Sequence, residues 1–301
     1  MLFEMNTTQC YLLPHLSVLD LVGADADAIL NNLTTNHVLK LEMGQGCESF
    51  VTDVRGKTVG HFNVYRHVDG FRLIGSSGQS ERVAAHVDRY TIREDAKAEI
   101  LDSQFAGFVL SSNPFIENQC DLGTELFAVT WLGAGAQVWL VPNGRVSEAT
   151  AWLDSNGIAV ADVSAFHAAR TIAGYPWYGI EIDESNLPQE IGRDAQTISF
   201  TKGCYLGQET VARLDAMGQV QKKLVRWSID GAVPPAQTKL EHEGKTVGRL
   251  TSVAQHDDGS VVALGFARRS HFDAGAVASG ESASSGTSNT DFSFTAQVIE
   301  S

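Results

Sequence analysis

The spacing of apolar residues in the first hundred positions alternates between helical and strand-like periods. From Asp25 to Leu33 an N-cap candidate precedes apolar residues that share one helical face, so we predict a helix there. The segments HFNVYRH and FRLIGS are β-like and are joined through Asp69-Gly70, a dipeptide that favours tight hairpin turns. A second helix is predicted from Ser80. Because hairpins pair antiparallel strands, this mixture predicts an α+β fold rather than a doubly wound one.

The middle of the chain repeats this mixture of strands and helices. Strands are predicted at LFAVTWL and QVWLV, after a start near Glu125, and a helix is predicted around Glu148–Leu153. Another helix is predicted from a cap at Ser164 through Arg170, ending before Gly174. The pattern therefore indicates a second α+β block.

Short strands separated by turns follow Gln219. KKLVRWSI and GSVVALGFA alternate in the way that favours a small antiparallel barrel or sandwich. Gly275–Thr290 is rich in Gly, Ser and Ala, which predicts a flexible loop over 275–290. DFSFTAQVIE then alternates as a final strand.

Composition and charge narrow the classes of function. The 301 residues suffice for two or three small domains with a sizeable core. With 22 Lys plus Arg against 36 Asp plus Glu, the formal charge is −14, which argues against general nucleic-acid binding but allows a local basic pocket for a small anion. We read no signal peptide, no membrane-spanning run and no paired-cysteine metal motif, and therefore expect a cytoplasmic protein with reduced thiols.

The stretch TKGCYLGQE places a thiol in a distinctive setting. The preceding ISF is strand-like and Gln208–Leu214 can be helical, so Cys204 is predicted in a strand-to-helix turn. The helix dipole and the ammonium of Lys202 would both favour the thiolate, and Gly203 and Gly207 would allow close backbone approach. These residues alone leave open both a functional thiol and a small, packed, inert cysteine.

The same stretch carries a resemblance to a known family. Lys-Gly-Cys-Tyr-x-Gly-Gln-Glu resembles the signature of the YgfZ-type folate-binding proteins, which are relatives of the glycine-cleavage T-protein. The similarity extends to LDLVGADADAILNNLTTNHVLKL near the start, to Ala169–Gly174 and Asn186–Glu190, and to Gly218–Leu224 and Gly244–Ser252 near the end. It thus covers most of the chain.

The resemblance implies a three-lobed, T-protein-like arrangement with two interleaved α+β (ferredoxin-like) lobes and a C-terminal antiparallel β-barrel. We place one α+β lobe, which carries the cysteine motif, at 1–20 and 105–215. The other α+β lobe is placed at 21–104 and the barrel at 216–301.

The resemblance also implies a function. Such proteins bind tetrahydrofolate or a derivative and assist iron–sulfur cluster synthesis or repair in client enzymes, including enzymes that modify tRNA. Cys204, with Lys202, would be a redox or sulfur-handling thiol, and the partners would be a reduced folate and iron–sulfur client enzymes. No membrane and no resident metal site is expected.

Matching positions suggest ligand contacts. Glu190 would accept hydrogen bonds from the pterin. Arg170 and Arg213, together with Lys202, would form a basic cluster for the glutamyl carboxylates, and Gln208 and Glu209 would cap the helix or contact the ligand. For Arg170 an internal ion pair with the acidic loop is an equal alternative.

Two departures from the T-protein pattern bear on the reaction. The T-protein has Asp at the position of Cys204, and its carboxylate pair after the first hairpin is replaced here by Val59-Gly60. The Val59-Gly60 replacement weakens the main alternative, a folate-dependent aminomethyl or one-carbon transferase. A scaffold whose folate pocket has decayed is the third hypothesis.

Overall fold

The computed structural model describes residues 8–114, 125–218, 220–282 and 292–300. They form two compact units. The first draws its described residues from positions 1–30, 38–47 and 62–175, and the second from 31–37, 48–61 and 176–301. The three domain boundaries predicted from the sequence stay a prediction.

The described helices are short. They are α1 (Ala26–Leu33), α2 (Ser80–Tyr90), α3 (Val146–Ser155), α4 (Val163–Ile172), α5 (Asp194–Thr197) and α6 (Gln208–Met217). No helix among the described residues is both long enough and apolar enough to cross a bilayer.

The helix predictions are confirmed apart from one cap. Helix α4 begins at Val163, one residue earlier than the cap predicted at Ser164. The cap is Asp162, whose extended backbone lets its carboxylate accept a 2.9 Å hydrogen bond from the Ala165 amide. An aspartate in this position satisfies one of the amides left unpaired at a helix start.

The strands of the described residues form two five-stranded sheets and a closed barrel. The first sheet has the order β10-β1-β7-β9-β8, with β1 (Cys10–Leu13), β7 (Phe105–Leu110), β8 (Glu125–Ala128), β9 (Gln137–Pro142) and β10 (Val160–Ala161). The second has the order β3-β4-β5-β2-β6, with β2 (Leu16–Val22), β3 (Gly46–Thr52), β4 (Thr58–His67), β5 (Gly70–Ser76) and β6 (Lys97–Ile100). Strands β4 and β5 pair antiparallel with His67 opposite Gly70, which confirms the predicted hairpin.

The barrel belongs to the second unit. Its order is β11-β14-β13-β12-β15-β16, with β11 (Lys222–Gly231), β12 (Lys239–His242), β13 (Lys245–Gln255), β14 (Val261–Arg268), β15 (Val277–Ser282) and β16 (Phe292–Ile299). Neighbouring strands pair antiparallel around a core that includes the fully buried Trp227. Together with the two sheets, it confirms the predicted α+β class with a C-terminal antiparallel barrel.

The loop predicted over 275–290 is wrong in its first part. Val277–Ser282 is strand β15, which pairs with β16, whereas 283–290 lies outside the described residues. A side chain on Gly280 would come within 2.3 Å of the Phe294 ring. A small residue is therefore needed here because an aromatic ring packs against the strand. Composition alone does not distinguish such a strand from a flexible loop.

A short 3₁₀ helix, Pro188–Ile191, is fixed against the barrel and carries Glu190. Ile191 is buried in a core with Leu224 of β11 and Leu264 of β14. This apolar anchor holds the adjacent Glu190 in a defined place in the second unit.

Candidate functional site

Cys204 lies in an irregular segment between α5 and α6 and is exposed. The strand predicted for ISF is wrong. Ser199 donates its amide to the Thr35 carbonyl (3.0 Å), but residues 198–200 pair with no strand, so no ladder forms. Cys204 comes three residues before Gly207, the cap of α6, and the segment that contains it follows the short helix α5 rather than a strand.

Lys202 anchors the cysteine segment by its side chain. Its ammonium is buried and donates to the carbonyls of Asn31 (2.7 Å), Thr34 (2.6 Å) and Asn36 (2.8 Å). The last carbonyls of a helix such as α1 have no hydrogen-bond donor within the helix, and Lys202 donates to carbonyls at this end. The segment is therefore tied to the end of α1, and a direct role of Lys202 beside the thiol stays a prediction.

Further contacts hold the residues that follow Cys204. The Leu206 amide donates to the Asn32 carbonyl (2.9 Å), and Thr52 Oγ1 donates to the Leu206 carbonyl (2.7 Å). Gly207 is left-handed, with φ of 79°, and packs directly on the backbone of Gly56. The exposed thiol is thus presented by a segment whose backbone is held on two sides.

Glu190 is buried, and its two carboxylate oxygens have different surroundings. Its Oε2 accepts from the Leu187 amide (3.1 Å) and from Asn186 Nδ2 (3.3 Å), and lies 3.7 Å from the Lys222 ammonium. Its Oε1 has no hydrogen-bond partner among the residues that the structure describes. The carboxylate is therefore oriented by one oxygen, while the other can accept a further hydrogen bond.

The remaining residues that were predicted to contact the ligand differ in exposure. Gln208 is half-buried, and Glu209 and Arg213 are exposed along α6. Arg170 belongs to the first unit and is buried, donating from Nε to His167 Nδ1 (2.8 Å) and from Nη1 to the Tyr175 carbonyl (3.0 Å). Burial and then the Arg170 charge lower the pKa of His167 to about 4, so that ring is a neutral acceptor at neutral pH.

Sequence reasoning missed a buried charged cluster in the second unit. Glu48 Oε1 lies 2.8 Å from His61 Nε2 and 2.6 Å from Arg193 Nε, and a second Arg193 nitrogen contacts Oε2. Burial opposes ionisation of Glu48, but hydrogen bonds from Arg193 and His61 outweigh it and lower its pKa to about 2. Because Glu48 is ionised and can only accept, His61 Nε2 carries a proton.

The sequence carries a signal for two of the three residues in this cluster. Glu48 and His61 lie next to apolar residues in strand-like segments, and a buried polar group requires a partner. Nothing in the local sequence around Arg193 indicates that it supplies the compensating charge.

We expect Glu48→Gln to destabilise the protein by about 3 kcal/mol at pH 7, because Arg193 would lose its buried countercharge. Urea unfolding measures this change, with Glu148→Gln as the control, since its pair with Arg145 is at the surface and contributes under about 1 kcal/mol. The depressed pKa of Glu48 gives stabilisation that is complete above about 4.5 and is lost as the pH falls towards 2. The difference from wild type should therefore shrink at pH 3, and an undiminished difference would contradict this account.

Comparisons with known proteins agree with the fold. No family model matches the chain. The tRNA-modifying protein YgfZ of Aliivibrio fischeri strain MJ11 is 24% identical over 260 residues, covering 82% of this chain and 81% of that protein. An aminomethyltransferase of Rubrobacter xylanophilus is 29% identical over 241 residues, covering 72% of this chain and 64% of that protein.

A solved structure matches nearly the whole fold. The crystal structure of glycine cleavage system aminomethyltransferase T from Bartonella henselae superposes with a TM-score of 0.82 at 15% identity, over 98% of this chain and 85% of that one. The resemblance seen in the sequence is confirmed. The chain is therefore a relative of the tRNA-modifying protein YgfZ and of the aminomethyltransferases, and it has the fold of the glycine cleavage T-protein.

Proposed function

We propose that this protein binds a reduced folate and assists iron–sulfur cluster synthesis or repair in client enzymes that modify tRNA, with Cys204 as its reactive thiol. The observation that carries the proposal is an exposed cysteine in a YgfZ-like motif, held by the buried Lys202 and by the backbone around Leu206. The relatives named YgfZ support the link to tRNA modification.

Folate binding is supported by the state of Glu190. Pterin rings present N–H groups along one edge, and a carboxylate is a strong acceptor for them. Glu190 is buried, is oriented through Oε2 and leaves Oε1 available among the described residues. A ligand N–H could donate to Oε1 without any rearrangement of the Glu190 side chain. Binding is then tighter, because no free energy is lost in ordering that side chain.

Thiol chemistry is supported by the contrast between two cysteines. Burial raises the pKa of Cys10 to about 12, so that residue stays a protonated core group. Cys204 is exposed and can reach a partner protein. Redox exchange and sulfur transfer both need an accessible sulfur, and of these two cysteines Cys204 alone provides it.

A second candidate is a folate-dependent aminomethyl transferase, favoured by the shared fold and by the aminomethyltransferase relative. It is disfavoured by Val59, a buried apolar residue, and Gly60 at the positions matched to the T-protein carboxylates. Incubation with tetrahydrofolate and an aminomethyl donor distinguishes the two functions. Formation of a methylene-folate product would support the transferase.

We expect Glu190→Gln to weaken binding of 5-formyltetrahydrofolate by at least about tenfold, because a charge-assisted hydrogen bond becomes a neutral one. Isothermal titration calorimetry measures the change. The Gln side chain keeps an oxygen to accept from the Leu187 amide, so the fold should persist, and circular dichroism checks this.

The matched control is Glu148→Gln, which changes an exposed carboxylate on α3 and should leave folate binding as in wild type. Unchanged affinity in Glu190→Gln would contradict the assigned pterin contact. Absence of binding by the wild-type protein would instead favour a scaffold whose folate pocket has decayed.

A further inference from the structure

The ammonium of Lys222 lies beside Glu190 and a phenylalanine ring. Its Nζ lies 3.7 Å from Glu190 Oε2 and 4.8 Å from the centroid of the Phe266 ring. It makes no hydrogen bond with the described part of the chain, and its side chain is 40% exposed. A lysine ammonium that lies near a carboxylate and an aromatic ring can still donate hydrogen bonds to a ligand.

The Lys222 and Glu190 side chains together offer complementary groups. Glu190 Oε1 can accept a hydrogen bond, and Lys222 Nζ can donate up to three. A heterocycle whose ring N–H is next to a ring carbonyl presents the matching donor and acceptor side by side. This lactam edge occurs in a 4-oxo pteridine and is absent from its 4-amino counterpart.

We propose that Lys222 is a specificity-determining residue that selects a 4-oxo pteridine by donating to its ring carbonyl while Glu190 accepts the adjacent N–H. The inference rests on the proposed folate binding and adds the feature of the ring that is selected. A 4-amino ring would turn an N–H₂ group towards the Lys222 ammonium, and neither group could accept. A site built to hydrogen-bond one group rejects an analogue that leaves its own polar atoms unpaired.

A competing role for Lys222 is electrostatic support of nearby carboxylates. Burial opposes ionisation of Asp183, but two hydrogen bonds from Ser185 outweigh it and lower the Asp183 pKa. The charge of Lys222 adds to this effect. If Lys222 acted only in this way, its loss would change the affinity for both kinds of ring alike. Comparison of two ligands that differ at one position therefore separates the two roles.

The test is calorimetric titration of the full chain with tetrahydrofolate and with tetrahydroaminopterin, which carries an amino group in place of the 4-oxo group. We expect Lys222→Met to weaken tetrahydrofolate binding by about tenfold and to leave tetrahydroaminopterin binding within about twofold of wild type. Lys222→Arg, which retains a donor, should keep much of the wild-type preference. Lys245→Met, on an exposed barrel lysine, is the control and should change neither affinity.

Three results would overturn the assignment of Lys222. They are an equal loss for both ligands, no loss for either ligand, and a wild-type protein without preference for the 4-oxo ring. Failure of wild-type protein to bind tetrahydrofolate at all would sink the proposed folate function itself. The wild-type titration therefore distinguishes failure of the function from failure of the inference.

Discussion

Cys204→Ala is expected to abolish the ability of this protein to restore iron–sulfur enzyme activity in bacterial cells that lack their own YgfZ-type protein. The thiol is exposed, and the segment that presents it is held by Lys202 and by the Leu206 backbone, so the substitution removes the sulfur and little else. Because exposed substitutions typically change the free energy of unfolding by under about 0.5 kcal/mol, the variant should fold normally. The measurement is the activity of an iron–sulfur enzyme that modifies tRNA, with protein levels checked by immunoblot.

Two further variants define what the Cys204 sulfur does. Cys204→Ser keeps a polar group of similar size without thiolate chemistry, and it should fail as Cys204→Ala does. Cys47→Ala alters a half-buried cysteine outside the motif and should restore activity. Full rescue by Cys204→Ala would remove this residue from the mechanism.

Gly207→Ala is expected to destabilise the protein by about 3 kcal/mol or more. Gly207 has φ of 79°, and an added Cβ would lie 2.4 Å from the Gly56 Cα and 2.5 Å from the Asp53 carbonyl oxygen. A left-handed backbone disfavours a side chain, and a clash with backbone atoms cannot be relieved by a rotamer change. Urea unfolding should show a lower midpoint, and alkylation of Cys204 should change in rate as its segment is displaced.

The second motif glycine provides the matched control. Gly203 is exposed, and an added Cβ there would meet no atom within 4 Å. Gly203→Ala should therefore stay within about 0.5 kcal/mol of wild type. Equal stability of the Gly207 and Gly203 variants would contradict the close approach of Gly207 to Gly56.

Local features of the fold were predictable because neighbouring residues determine them. The Asp69-Gly70 turn and the helix from Ser80 follow from turn chemistry and from apolar spacing, and both are present. Two local predictions were wrong because a distant residue decides the outcome. The small residues of strand Val277–Ser282 leave room for the Phe294 ring, which the local sequence does not reveal. Residues 198–200 form no strand because no neighbouring strand pairs with them.

The candidate site was only partly predictable for the same physical reason. A motif marked Cys204, but the acceptors of Lys202 lie near Asn31, about 170 positions earlier in the chain, and no local pattern joins them. The pairing of Glu48 with Arg193 is equally remote in sequence. Lys222 had no motif at all, and its relation to Glu190 follows from the packing of Ile191 against the barrel.

The most direct test of the central claim is a crystal structure of this protein with a reduced folate bound. We expect a pterin nitrogen within about 3 Å of Glu190 Oε1, which is ordinary hydrogen-bond distance. A folate bound with its pterin away from Glu190, or a crystal that takes up no folate at saturating concentration, would contradict it.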